Sequence, residues 1–131
     1  MKKDFVVGQS NEIIKDGNLY DLHNLYEFLG IYVNTKDSIL KIFFHPYNNL
    51  QERTRSITFI FQSLDYLELS TGFGTRKIDT LEELGYKEPG DYDINWILNE
   101  NQSSPDAHLF FRLSKDDYIR VHSKKVYLLE K

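Results

Sequence analysis

The chain has 131 residues, the ordinary length of one domain, and it has no cysteine, which excludes disulfides and thiolate zinc sites. Aromatic residues make up 15% of it, whereas disordered chains are poor in aromatics. The net charge of −4 argues against a general nucleic-acid-binding protein, which would carry a basic face. We therefore predict a single globular domain spanning residues 1–131.

The amino terminus does not have the pattern of a secretory signal. Lys2 and Lys3 are followed, after one acidic residue, by only three apolar residues, whereas a signal peptide needs about 7–15. Nowhere does the sequence reach the roughly 20 apolar residues of a membrane span. We accordingly expect a cytoplasmic protein with no membrane partner.

Residues 21–30 are compatible with two structures. Apolar residues at positions 22, 25, 26 and 29 are spaced as on one face of a short helix, with Asp21 as its N-cap and Gly30 at its end. The same residues also fit a strand whose alternate side chains lie on opposite faces. Periodicity does not separate the two, and both stay open.

Alternating apolar and polar residues, enriched in β-branched and aromatic types, predict strands along most of the remaining chain. Polar residues 34–37 and 114–117 separate pairs of these strands and predict two hairpins. A further turn at Ser123 and Lys124 is expected before the last strand. The predicted strands cover residues 30–33, 39–44, 57–62, 66–69, 108–113, 118–122 and 126–128.

Residues 80–83, Thr-Leu-Glu-Glu, have the pattern of a capping box and predict a helix of one or two turns that Gly85 ends. Six or seven short strands with one or two short helices favour a mainly β fold over alternating βαβ units. We predict an antiparallel sandwich or a curved sheet, with an α+β fold as the alternative.

The glycine-rich residues 70–77 could place backbone N–H groups and two basic side chains around an anion. They lack the pattern of a P-loop and the third glycine of a dinucleotide fingerprint, so we expect a turn after a strand. Neither a serine nor a carboxylate pair lies in a catalytic pattern. The sequence therefore favours a protein without enzymatic activity and without a cofactor.

Two histidines lie on strands that are predicted to form a hairpin. The register that pairs Leu109 with Val121 brings His108 opposite His122, whereas a shift by two residues would oppose two arginines. Two imidazoles could hold a divalent metal if a carboxylate completed the set, but the sequence supplies no third ligand. We expect two partly exposed surface histidines; the alternative is a metal-dependent or small-molecule-binding enzyme domain that uses them.

Negative charge is concentrated in residues 79–106, which we call the acidic segment. Its eight acidic residues and one base, Lys87, give it a net charge of −7. Such a segment is typical either of a solvated loop or of a docking face for a basic protein. Its Trp could anchor an interface or belong to the core of a further strand. The candidate binding residues are Asp91, Asp93, Trp96 and Glu100.

Three stretches share a pattern of hydrophobic alternation with a few polar markers: residues 22–24 before a hairpin, residues 57–64, and the tail of residues 108–128. This arrangement resembles small β-rich bacterial proteins of unknown function, some of which are similar to immunity proteins that protect a cell from a toxin. The resemblance covers about half the chain and carries over no residue role. It implies a non-catalytic protein that masks a basic protein partner, often through an acidic face.

Overall fold

A computed structural model describes residues 1–9, 11–47 and 55–131, and nearly all regular structure in them is β-strand, which confirms the predicted mainly β class. The helical residues described are two single 3₁₀ turns, and no helix in these ranges is long and apolar enough to cross a membrane. The ten strands described are β1 (Lys2–Lys3), β2 (Val6–Val7), β3 (Glu12–Lys15), β4 (Asn18–Asp21), β5 (Tyr26–Asn34), β6 (Ile39–Pro46), β7 (Ile57–Leu69), β8 (Leu81–Lys87), β9 (His108–Leu113) and β10 (Tyr118–Glu130).

The strands form two sheets. The larger one has the order β5-β6-β7-β10-β9-β8, and every neighbouring pair along it is antiparallel. Strand β1 adds to it by pairing parallel with β10. The smaller antiparallel sheet has the order β2-β3-β4. The larger sheet is curled, which agrees with the curved sheet predicted from the sequence.

The core lies on one face of the larger sheet and is rich in phenylalanine. Phe59 makes edge-to-face contacts with Phe5, Phe44 and Phe111, whose ring centroids lie 5.2–5.9 Å from its own. Such pairs add about 0.5–1.5 kcal/mol each to the effect of burial. Ile13 of the smaller sheet is fully buried in the same cluster. The smaller sheet therefore packs on the apolar face of the larger one.

Both predicted hairpins are confirmed. The turn between β5 and β6 covers residues 35–38, one residue later than predicted, and residues 114–117 connect β9 to β10. The predicted register is also confirmed, because Leu109 pairs with Val121 across β9 and β10. The side chain of Asn34 helps to form the first turn by accepting N–H hydrogen bonds from residues 36 and 37.

The helix predicted at residues 80–83 is wrong, because this segment begins β8. A β-bulge just after Leu81 shifts the strand by one residue. Leu81 and Leu84, three residues apart, consequently both face the core, where they lie opposite Leu113 and Phe111. A bulged strand thus reproduces the spacing of a helix.

The open question of residues 21–30 is resolved as a turn followed by a strand. Asp21 ends β4, and its carboxylate accepts hydrogen bonds from the backbone and side chain of Asn24. Strand β5 then begins at Tyr26 and contains a bulge before Gly30, whose φ of 140° favours glycine. The bulge leaves Leu29 exposed, although a regular helix would have buried it.

The turn predicted at Ser123 and Lys124 is wrong. Strand β10 continues through these residues because the equally long β7 pairs with its whole length. The strand carries a register shift between His122 and Ser123 instead, and Asp65 is the extra residue on the β7 side. Ser123 is fully buried, and its hydroxyl donates to the carbonyl of Lys125. The polar residues Ser123 and Lys124 therefore lie within a continuous strand, next to a β-bulge, and do not form a turn.

Candidate functional site

The face of β7, β10, β9 and β8 that points away from the core carries polar and aromatic side chains, and we call it the polar face. Residues 88–99, which we call the covering loop, cross this face between β8 and the 3₁₀ turn at Glu100–Gln102. Gly85 permits the covering loop to approach β8 closely, because a Cβ at Gly85 would lie 2.5 Å from the carbonyl oxygen of Leu98. The polar face comprises Tyr66, Glu68, Glu83, Lys87, His108, Phe110, Arg112, Tyr118, Arg120 and His122.

Arg120 fastens the first half of the covering loop. Its side chain is fully buried, and its Nη atoms donate to the carbonyl oxygens of Asp91 at 2.6 Å and Glu88 at 2.9 Å. Its Nε donates to Nδ1 of His108 at 2.9 Å. The guanidinium also lies 5.4 Å from the ring centroid of Tyr92. One buried cation therefore positions the loop backbone and one of its aromatic rings.

Lys87 fastens the second half of the loop. Its side chain has no exposed surface, and its Nζ lies 3.2 Å from the carboxylate of Asp91. The same ammonium donates to the backbone carbonyl oxygens of Asp93 and Trp96. It also lies 4.2 Å from the centroid of the Trp96 ring, a cation–π contact. The backbone N–H of Asp93, and then Lys87, hold the pKa of the Asp91 carboxyl below its usual value.

The candidate binding residues occupy different environments. Trp96 lies in the loop and is 48% exposed, and Asp93 is also exposed. Asp91 is directed towards Lys87 beneath the loop. Tyr92, which the sequence analysis did not single out, is 72% exposed, and only its position between two aspartates could have drawn notice. The loop therefore presents to solvent two aromatic side chains and the carboxylate of Asp93, which accepts the backbone N–H of Asn95.

Glu100 is directed into the protein. Its carboxylate accepts hydrogen bonds from Nζ of Lys3 at 2.7 Å, the backbone N–H of Val7 at 2.8 Å and the hydroxyl of Tyr86 at 2.7 Å. Burial alone would raise the pKa of Glu100, but the bonds from Lys3 and Val7 hold it below the usual value. Glu100 thus joins β1, β2 and β8, and its charge is already paired.

Cations from other strands compensate part of the charge of the acidic segment. Lys3 binds Glu100, Arg112 binds Glu83 at 2.9 Å, and Arg120 binds the loop backbone. Adding these three positive charges to the −7 of the segment leaves −4. The count along the sequence misses them because they lie outside the segment. The loop surface remains acidic, with a weaker field than the sequence predicts.

His108 and His122 do lie side by side, with ring centroids 5.5 Å apart. The expectation of two surface histidines is wrong for His108, which is only 7% exposed and stacks on the ring of Tyr66. Nδ1 of His122 lies 2.6 Å from the carboxylate of Asp65, and its Nε2 is buried without a partner among the described residues. In that part of the chain no three His, Cys, Asp or Glu side chains form a metal-binding group.

We expect zinc to leave the thermal unfolding midpoint unchanged. A native state that binds zinc would gain about 2.7 kcal/mol at a hundredfold excess of metal over Kd. Arg120 occupies Nδ1 of His108 and places a positive charge beside the two rings, which disfavours a second cation. A thermal melt with and without zinc measures this. A rise of several degrees that His122→Ala abolishes would contradict the expectation.

The glycine-rich residues 70–77 form turns after β7, as expected. Arg76 is not free for an anion, because its Nε and Nη2 bind the carboxylate of Asp117 at 3.0 and 2.9 Å. The hydroxyl of Ser70 donates to the same buried carboxylate. Its hydrogen bond, followed by Arg76, holds the pKa of Asp117 below its usual value. This stretch therefore anchors the β9–β10 turn.

Comparison with models of known protein families, with curated proteins and with solved structures finds no match to this chain.

Proposed function

We propose that the protein binds a basic protein partner through the outer surface of the covering loop and catalyses no reaction. One observation carries the proposal: two exposed aromatic side chains, Tyr92 and Trp96, project from a loop that two buried cations hold from below. Exposed aromatics in this setting are typical of interface hot spots. A masking protein of the immunity type is the specific form of this function that the resemblance implies.

The hydrogen bonds beneath the loop favour tight binding. Association usually loses free energy to the ordering of loops and side chains at an interface. Here Lys87 and Arg120 already bind five backbone carbonyl groups of the loop, those of Glu88, Pro89, Asp91, Asp93 and Trp96. Tyr and Trp side chains themselves have few torsions to fix. The loop is therefore organised before a partner arrives.

Trp96→Ala is expected to weaken partner binding by about 2 kcal/mol or more, a factor of about 30, mainly through faster dissociation. The partner is first captured on the immobilised wild-type protein, and kinetics are then measured for each variant. Tyr32→Ala is the matched control, because Tyr32 is 51% exposed on β5 at the far edge of the sheet. Equal affinities for the two variants would refute the loop as the binding surface.

Asp93→Lys is expected to slow association and to flatten its dependence on salt, because an exposed carboxylate steers a basic partner over roughly a Debye length of 8–10 Å. Asp93 suits this test better than Asp91, whose reversal would break the contact with Lys87. Asp37→Lys is the control, since both carboxylates accept one local N–H bond. An association rate that is unchanged and flat in salt would contradict a basic partner.

A further inference from the structure

A groove of about 840 Å³ lies beside the covering loop, between the smaller sheet and residues 97–102. Its wall continues directly from the aromatic surface, because Ile97 follows Trp96 in the chain. A partner that contacts Trp96 therefore passes close to this groove. Its apolar walls include Val6, Ile14 and Ile97, and its three acidic side chains are Glu12, Glu83 and Glu100.

The three carboxylates of the groove differ in their partners. Glu83 binds Arg112, and Glu100 binds Lys3, so both of these charges are paired within the protein. Glu12 differs, because none of the basic side chains described lies within salt-bridge distance of it. Its carboxylate lies over Gly8, where an added Cβ would be 3.1 Å from Oε2. The groove thus contains one carboxylate available to a cation.

We propose that this groove binds an arginine side chain of the protein partner, with Glu12 as its ion-pair partner. This inference rests on the proposed docking function and names the group that the site recognises. The apolar walls suit the methylene groups of arginine, which bury readily while the charged end stays hydrogen-bonded. Guanidinium carries five N–H donors and binds a carboxylate in a two-bonded arrangement, which an ammonium group does not.

The amide side chains at the groove support arginine in particular. Gln9, Asn101 and Gln102 line it together with Glu12, and their amide groups add polar acceptors to the same groove. The backbone N–H of Asn101 is bound by Asn99, which fixes the turn that carries two of these amides. Several acceptors near one negative charge match a cation with several donors.

The test is an NMR titration of the ¹⁵N-labelled protein with N-acetyl-arginine methylamide. We expect saturable shifts at the backbone amides of Gly8, Gln9, Asn101 and Gln102. The neutral isostere N-acetyl-citrulline methylamide should bind at least about tenfold more weakly, because a charge-assisted hydrogen bond is lost. Glu12→Gln should weaken binding of the arginine probe by a similar factor. Asp106→Asn, which removes one exposed charge from the acidic segment, should leave it unchanged.

A second variant guards against an effect of Glu12→Gln on folding. Asn101→Arg would place an arginine of the protein itself at the groove and should also weaken binding of the arginine probe. Shifts that stay unsaturated, equal binding of the two probes, or unchanged binding by both variants would overturn the inference. Trp96→Ala should bind the arginine probe like wild type while it loses the protein partner. The groove and the docking surface can therefore fail separately.

Discussion

Arg120→Met should lower the free energy of unfolding by about 3–5 kcal/mol, because several buried acceptors lose their hydrogen-bond donor at once. The substitution preserves much of the side-chain volume but removes every donor. Nδ1 of His108 and the carbonyl groups of Glu88 and Asp91 would then lack partners beneath the loop. Buried acceptors left without hydrogen bonds cost about 1–3 kcal/mol each, and such costs do not add fully. Urea unfolding of both proteins measures the difference.

Trp96 makes the same experiment specific to the loop, because it is the only tryptophan in the chain. Its fluorescence reports the covering loop, and far-UV circular dichroism reports the sheet. In the wild type we expect the two transitions to coincide, whereas in Arg120→Met the fluorescence change should come at lower urea. Coincident transitions in the variant would show that Arg120 does not hold the loop.

Arg112→Met is the matched control for Arg120→Met. Arg112 lies on the same polar face and also donates to one carbonyl of the covering loop, that of Ile94. Its ion-pair partner Glu83, however, is 44% exposed and can regain water when the pair is broken. Partly exposed pairs contribute about 0–1 kcal/mol, so we expect a loss well below that of Arg120→Met. Similar losses of unfolding free energy in the two variants would mean that burial of the arginine does not determine its contribution to stability.

The features that the sequence predicted correctly are local ones. The hairpin turns predicted at residues 34–37 and 114–117 follow from polar residues between alternating stretches. The pairing of Leu109 with Val121 followed from the cost of placing Arg112 opposite Arg120. Each of these inferences compares residues close together in the chain or across one hairpin. The mainly β class follows because such patterns fill most of the sequence.

The errors arose where the backbone departs from regular geometry. The capping-box pattern of residues 80–83 predicted a helix, whereas the bulge after Leu81 places Leu81 and Leu84 on the core side of a strand. At residues 21–30, where periodicity left helix and strand open, the bulge before Gly30 interrupts the alternation of the strand. The bulge at His122 lies beside the polar residues for which the sequence predicts a turn. A bulge depends on the partner strand, and the sequence of one strand does not reveal it.

The candidate site was only partly predictable for a related reason. Asp93 and Trp96 were identified from local charge and composition, and both are exposed. The anchoring role of Arg120 needs a contact with residues about 30 positions away, and the role of Lys87 needs its complete burial. Charged residues are almost never fully buried unless paired, so composition assigns both to the surface.

Acid is expected to destabilise the protein through His108. The effect should appear at pH values between the pKa of His108 in the unfolded chain and its pKa in the folded protein. Burial, and then the positive charge of Arg120, lower the pKa of His108 from 6.5 to about 4. The folded state therefore favours the neutral ring, whose Nδ1 accepts the N–H of Arg120. Stability is complete above pH 6.5 and falls as the pH approaches 4, since the unfolded chain then binds a proton that the folded chain does not.

His108→Asn should remove this part of the acid sensitivity. Its side-chain oxygen can accept the hydrogen bond from Arg120, but the amide does not titrate. Between pH 7 and about pH 4.5 the wild type should lose about 2–3 kcal/mol of unfolding free energy that the variant keeps. Glu68 and Asp117 have lowered pKa values, and their contributions are lost at lower pH in both proteins, which leaves this window to the histidine. Urea unfolding across the pH series measures the difference, and parallel curves for the two proteins would show that His108 is not neutral in the folded state.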